Sequence, residues 1–388
     1  MVYRIVDYLN LRDAGTFELF YASIFILSAY SLNGIPLSAV LWVLFAVFLA
    51  FKNRKNHITS YKPLLYLSIY CITHEFVYLF IANGNFIAFI LQIVYFWCIF
   101  RASSIMDINK LKGAINWIAL ISIGGLLFQW GIIASGGEVI PIDLPFLDMS
   151  ESRLEEYSIR PSSFFMEPAA FVAFMYAPLT FSLIDKKFIW TFIIVLANFL
   201  TTSTTGILIS FILLGVYVFS QKVKFKVRLL VITLGAVLLF SLTNFAVFQS
   251  GVSKLEETDT ESNIRLAQGP YIVSTMEQNE YFFGATYHDA YAYCLAGRAP
   301  MAVFYTESVF MSTFWNIILH YGLIGLMLYL LFYYRFYKRN RATRPLIFCL
   351  LATMFSSGYG VGPNFVYTSI ILFMIAQHTT RGTRVLSE

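Results

Sequence analysis

The chain has 388 residues, 58% of them hydrophobic and only 13% charged, with a mean hydropathy of +0.69. Those proportions exclude a water-soluble globular domain, a disordered chain, a collagen-like fibre and a disulfide scaffold, and they describe an integral membrane protein. The net charge of +5 would by itself point to anionic partners, yet its distribution along the chain gives a different account.

About twelve apolar segments are long enough to cross a bilayer. They fall at 15–32, 35–51, 64–82, 86–103, 114–134, 168–184, 187–202, 204–220, 228–248, 308–334, 345–359 and 365–379. Alternate connections then share a side. The side holding both termini carries 22 of the 27 Lys and Arg, and the other five are Arg153, Arg160, Lys254, Arg265 and Arg298. By the positive-inside rule the basic side is cytoplasmic, so the charge is topological and no nucleic-acid partner is expected. The prediction is an all-α integral membrane protein of about twelve transmembrane helices, forming one polytopic domain over 1–388. Its two large outer-face loops cover 135–167 and 249–307. Arg4, Asp7, Arg12 and Asp13 precede the first apolar run and no small-residue cleavage site follows, so the first helix is expected to stay as an anchor. Cys71, Cys98 and Cys349 lie in apolar spans and Cys294 stands alone, which gives neither a disulfide framework nor a metal-ligand spacing.

The two loops hold 15 of the 22 acidic residues. Long connections usually carry function, and each outer arginine stands against the positive-inside bias. One explanation is pairing with neighbours such as Glu156 or Glu261. The first loop ends in Arg160-Pro161-Ser162-Ser163-Phe164-Phe165-Met166-Glu167-Pro168. Pro168 suits a first helical turn and biases Glu167 out of helical geometry, which puts a carboxylate at a helix mouth. Such a carboxylate either serves chemistry or simply stabilises the helix by about 0.3–1 kcal/mol. Thr201-Thr202-Ser203-Thr204-Thr205-Gly206 separates two short apolar runs and either offers donors to an anionic head group or bonds its own backbone. Glu307 stands at the entrance of the next long helix, and Tyr287-His288-Asp289 sets an imidazole beside a carboxylate. Within the spans, Glu75 beside His74 and Asn198 are polar groups at membrane depth. For Glu75 the favoured reading is a buried Glu-His or Glu-Tyr cluster that fixes helix packing, away from both loops. His320 reads as a packing residue, and Gly322 and Gly325 as points of close helix contact.

The run from Arg160 to Phe171, the Thr201–Gly206 turn, Arg265 upstream of Tyr281-Phe282-Phe283-Gly284, and the segment from Glu307 through Trp315 to Gly325 resemble the bacterial O-antigen polymerase family. More widely they resemble the O-antigen ligase superfamily of polytopic, GT-C-like glycosyltransferases. The resemblance covers roughly residues 110–378 and rests on the order of degenerate motifs. Some members place Gly eleven positions after each loop arginine, where this chain has Phe171 and Met276. Ligase relatives place a catalytic His where this chain has Glu307.

The resemblance implies a multi-pass enzyme of the bacterial inner membrane, active on the periplasmic face. It would use undecaprenyl-diphosphate-linked oligosaccharide repeats as both donor and acceptor, in contact with membrane lipid and with a chain-length regulator protein as a candidate partner. Arg160, Arg265 and Arg298 would hold the diphosphate, whose oxygens a guanidinium fork matches. Ser162, Ser163, Thr204, Thr205 and Tyr287 are further expected substrate contacts. Glu307, Glu167 and His288 are the candidates for the base that activates the acceptor hydroxyl. A diphosphate leaving group needs no acid, and the chain has no DxD signature, so neither a metal nor another cofactor is expected. The competing expectations are a ligase-type transferase and a twelve-span carrier of polysaccharide or lipid-linked oligosaccharide.

Overall fold

A bilayer offers the backbone no water, so apolar runs of this length satisfy their N–H and C=O groups by becoming helices. In the computed structural model, residues 6–32, 35–52, 61–81, 85–139, 142–149, 160–203, 264–285, 311–355 and 361–385 are described, with shorter helical pieces within 206–240. The helices are α1 (Thr16–Leu27), α2 (Leu37–Phe51), α3 (Lys62–Ile81), α4 (Phe86–Ile105), α5 (Ile108–Ala134), α6 (Pro168–Ile184) and α7 (Phe188–Leu200). They continue with α8 (Ile264–Thr275), α9 (Gln278–Phe283), α10 (Thr313–Arg339), α11 (Arg344–Thr353) and α12 (Pro363–Val385). Among the described residues, α3, α4, α5 and α10 are both long and apolar enough to cross a membrane.

The outward surface agrees with that reading. Along α2 the exposed side chains Val40, Val43, Leu44, Val47, Phe48 and Phe51 recur at helical spacing, and α3 exposes Ile69, Phe76, Phe80 and Ile81. Continuous apolar faces of this kind would be a liability in water and are ordinary against lipid. The protein is an all-α membrane protein.

Ten of the twelve expected segments overlap described helices, with identifiable differences. The first ends at Leu27, because the chain turns there into a small ribbon. In it β1 (Tyr30–Leu32) pairs antiparallel with β2 (Ile35–Pro36) and with β3 (Asp148–Met149), Ser31 facing Pro36 on one side and Asp148 on the other. The span expected at 308–334 is α10, which starts after the extended N-cap Ser312 and runs on to Lys338 and Arg339, cations suited to a helix C-terminus. Within the predicted second loop, 264–283 forms α8 and α9. The segments expected at 204–220 and 228–248 lie largely outside the described residues.

The chain divides into two compact units, one of Met1–Leu37 with Asn109–Thr258, the other of Ser38–Ile108 with Asp259–Glu388. In the first, Phe165 is buried among Phe25, Phe171 and Phe174, with ring centroids 5.5 to 6.2 Å away. Several polar groups inside this unit are paired: Trp190 Nε1 donates to Asn116 Oδ1, Asn116 Nδ2 to the Leu9 carbonyl, and Lys112 Nζ lies 2.7 Å from Asp185. In the second unit, Tyr61, Phe332, Phe336 and Phe373 stack around one another, the Tyr61 and Phe336 rings 4.4 Å apart. Asn85 caps α4 by accepting from the amides of Ile87 and Ala88, the bond expected of an N-cap.

Candidate functional site

Among the described residues, each unit holds a polar constellation that involves segments singled out in the sequence. In the first unit it is built around the run 160–168. Glu167 is the N-cap of α6 with extended backbone, Pro168 occupies the first turn, and the Glu167 carbonyl accepts from the amides of Ala170 and Phe171. The sequence rule for a residue before proline is met. The Glu167 side chain makes no cap hydrogen bond at this mouth.

The preceding turn is held from below by α5. Gln129 is fully buried, and its Oε1 accepts from the amides of Ser162 (2.9 Å) and Ser163 (2.7 Å). The Ser162 hydroxyl donates to the Phe165 carbonyl at 2.8 Å, while Ser163, at φ 59, turns its hydroxyl against Gly125. Both serines therefore shape the turn. Phe165 nails it into the aromatic cluster.

Arg160 leads out of this turn, half-buried, and its guanidinium lies 3.5 Å from the carbonyl of Thr202. Thr202 also has left-handed backbone, at φ 57. Non-glycine residues in that region cost of order 1 kcal/mol and gather at functional sites. The structure thus brings two segments singled out in the sequence, the arginine run and the threonine turn, to one place. The threonine turn also packs against α6, since a Cβ at Gly206 would overlap the Val172 side chain. The threonine turn bonds its own backbone, Thr201 Oγ1 donating to the Asn198 carbonyl, and Asn198 Nδ2 donates to Ser210.

Of the other expected site residues, Glu307, His288, Arg298, Thr204, Thr205 and Tyr287 lie outside the described residues. Arg265 is on the first turn of α8, with its side chain outside the described set. Among the described residues no three His, Cys, Asp or Glu side chains are grouped to hold a metal.

The second constellation lies in the second unit, where α3, α4 and α10 pack with α9. Helix α10 is broken at Gly322 (φ 63, ψ −174), and the end of α9 fills the break. A Cβ at Gly322 would overlap the Phe282 carbonyl and come within 2.6 Å of the Gly284 amide, so only glycine fits. The amide of Ala285 donates to the carbonyl of Leu319 at 2.8 Å. From α3, the Tyr70 hydroxyl lies 2.9 Å from the carbonyls of both Phe283 and Tyr321, and the Tyr78 hydroxyl donates to Gly284 at 2.8 Å.

Glu75 Oε1 accepts from the Tyr321 hydroxyl at 3.2 Å, and Gln92 Nε2 donates to that hydroxyl at 2.8 Å. This is the Glu-Tyr pairing that the sequence left open. Its distance from the loops needs correction: α3 touches the 278–285 stretch directly, because Tyr70 and Tyr78 reach down to its carbonyls. His320 and the glycines also change meaning, since the break at Gly322 is shaped by that stretch. The missed partner, Gln92, is a lone amide in an apolar helix, a weak sign that only tertiary contact could convert into a role.

No protein-family model and no curated protein matches this chain.

Proposed function

We propose that the protein is a surface-polysaccharide polymerase of the O-antigen kind, a glycosyltransferase working at the periplasmic face of the bacterial inner membrane. In this reading about twelve spans carry both termini on the cytoplasmic side in a GT-C-like arrangement. The donor is the growing glycan on undecaprenyl diphosphate, and the acceptor is the hydroxyl at the non-reducing end of the next lipid-linked repeat. The acceptor oxygen bonds to the donor's C1 as the bond from C1 to the diphosphate oxygen breaks. The hydroxyl proton passes to a carboxylate, and the lipid diphosphate departs with the bonding pair. Guanidinium contacts that strengthen as charge builds on the leaving oxygen lower the barrier, whereas equal binding of ground and transition state would not.

The observation that supports this reading most is the seat of Arg160. A guanidinium on the expected outer side, in an apolar protein, is held by a buttressed turn and leads into the helix whose mouth carries Glu167. That supplies a cation for an anionic head group and a carboxylate for a proton within one short run. The test is surface glycan from cells whose only polymerase is Arg160→Ala or Arg265→Ala at normal expression. Single-repeat glycan is expected from each, and full ladders from both would reject the mechanism. Loss of a ligase would instead leave long polymer on the lipid carrier. Purified protein with defined lipid-linked repeats would then show the ladder directly.

A second reading, a carrier of lipid-linked oligosaccharide, draws on the interrupted α10, since transporter sites are often built from discontinuous helices. It predicts substrate movement across vesicle membranes without ladder formation.

A further inference from the structure

Ionisable side chains inside a membrane-spanning bundle are costly and seldom idle. Here three of them, His74, Glu75 and His320, gather at the broken helix of the second unit, where neither the arginine chemistry nor the expected sugar contacts use them. We propose that His74, Glu75 and Tyr321 form an intramembrane proton-binding site whose occupancy governs the docking of the Gly284 turn on the break in α10. The inference does not depend on the polymerase reading.

The bonding pattern carries it. Gln92 Nε2 donates both to the Val361 carbonyl (3.0 Å) and to the Tyr321 hydroxyl (2.8 Å), so the phenol must pass its single proton to Glu75. Glu75 is thereby fixed as an acceptor at the end of a relay anchored on backbone. Beside it, His74 packs edge-on against Tyr78 and Tyr321, with ring centroids 4.4 and 5.3 Å away. Neither ring nitrogen completes a well-aligned hydrogen bond, although the Phe283 and Gly284 backbone lies close enough to interact with the ring, and Oε1 of Gln92, a residue only 8% exposed, is likewise buried without a partner. Buried polar atoms left without partners call for a missing one. An imidazole that takes up a proton gains a second donor, and the wall it faces is made of acceptors. A Cβ at Gly284 would lie 2.8 Å from His74 Nε2, so the ring is set against the backbone of the turn, whose Phe283 and Gly284 carbonyls edge the site.

The groups facing this pair are few. Tyr70, Cys71 and Tyr78 come from α3, His320 and Tyr321 from α10 and the amide of Gln92 from α4, while α9 and its turn bring backbone carbonyls. A proton entering there meets one carboxylate, two imidazoles and no nearby lysine or arginine among these contacts. Since the same carbonyls tie the turn to Tyr70 and Tyr78, loading the imidazole competes for or reinforces the bonds that hold the turn.

The test uses full-length protein in lipid nanodiscs. Infrared difference spectra between acid and alkaline buffer are expected to show a protonated-carboxyl band that is lost in Glu75→Gln and displaced in Tyr321→Phe, which keeps the ring and removes only the hydroxyl. Hydrogen–deuterium exchange of 278–285, corrected for the intrinsic pH effect, is expected to change across the same titration and to lose that change in His74→Gln. A wild-type spectrum without a titrating carboxyl, or one unaltered in Tyr321→Phe, overturns the site. Exchange of 278–285 that stays flat with pH overturns its link to the turn.

Discussion

The guanidinium of Arg160 lies 3.5 Å from the carbonyl of Thr202, and each of these residues belongs to a turn containing a left-handed non-glycine residue. At that length the bond is weak, so it does not hold the arginine in place by itself. What holds it is the turn beneath, and the turn depends on α5. A site for an anionic head group needs this order of rigidity: a pre-set backbone first, and a long cationic side chain carried on it.

Gln129 is therefore expected to act as a positioning residue for Arg160. Gln129→Leu would leave the amides of Ser162 and Ser163 buried without an acceptor, at about 1–3 kcal/mol each. Gln129→Glu keeps an acceptor oxygen at the same reach. If the proposed activity is correct, Leu should abolish the glycan ladder at normal membrane levels and Glu should restore much of it. Equal ladders from both would show that the buttress does not matter to function.

Glu167 offers a cleaner separation of chemistry from stability. Its side chain makes no cap bond, so the helix's share of the cost of Glu167→Gln is the macrodipole contribution, about 0.3–1 kcal/mol. Removing a general base should slow turnover by about 10²–10⁴-fold. Single-turnover rates on lipid-linked repeats, compared with thermal unfolding of the same detergent-solubilised preparations, distinguish the two. A wild-type rate would exclude Glu167 as the base and leave Glu307 and His288.

How much of this was legible in the sequence depends on how far apart the partners lie. The membrane class and the positions of ten described helices follow from composition and from apolar runs, because a bilayer leaves the backbone few alternatives, whereas α8 and α9 were read as loop. The N-cap geometry of Glu167 was readable from the proline beside it. By contrast, Gln129 stands 33 residues before the amide it accepts from, and Glu75 stands 246 residues from Tyr321. Nothing local marks such partners: one amide in an apolar helix looks like any other until the fold sets it against a turn. Gly322 was legible as a place of close contact, but a packing glycine and a helix-breaking one are spelled the same way. The distinction lies in the end of α9, which the chain brings to it from an expected loop.

That distinction can be measured. Gly322→Ala must place a Cβ at φ 63 against the Phe282 carbonyl, whereas a Cβ at Gly131 in α5 would meet nothing within 4 Å. Strain of this kind costs about 1–3 kcal/mol, before any cost from displacing α9. In a regular helix the same exchange is worth about 0.5–1 kcal/mol in the opposite direction. Thermal unfolding in detergent should thus fall for Gly322→Ala and hold or rise for Gly131→Ala. Equal behaviour of the two would mean that the docking of α9 on α10 does not depend on the missing Cβ at Gly322.

The ion pair of Lys112 and Asp185 gives a test of burial inside the first unit. The two groups are 2.7 Å apart with side-chain exposures of 7% and 23%, so the lysine is the more deeply committed partner. Removing one member of a buried pair leaves an uncompensated charge and typically costs about 3–5 kcal/mol. The partial exposure of Asp185 places the expected loss for Asp185→Asn at the lower end of that range. Asp185→Leu combined with Lys112→Met removes both charges and should recover most of the loss, since apolar groups of similar size can replace a buried pair at little cost. Unfolding midpoints of Asp185→Leu, Lys112→Met and their double variant form the cycle that decides it. If the two single losses sum to that of the double variant, the 2.7 Å contact contributes no coupling and the pair is a solvated one.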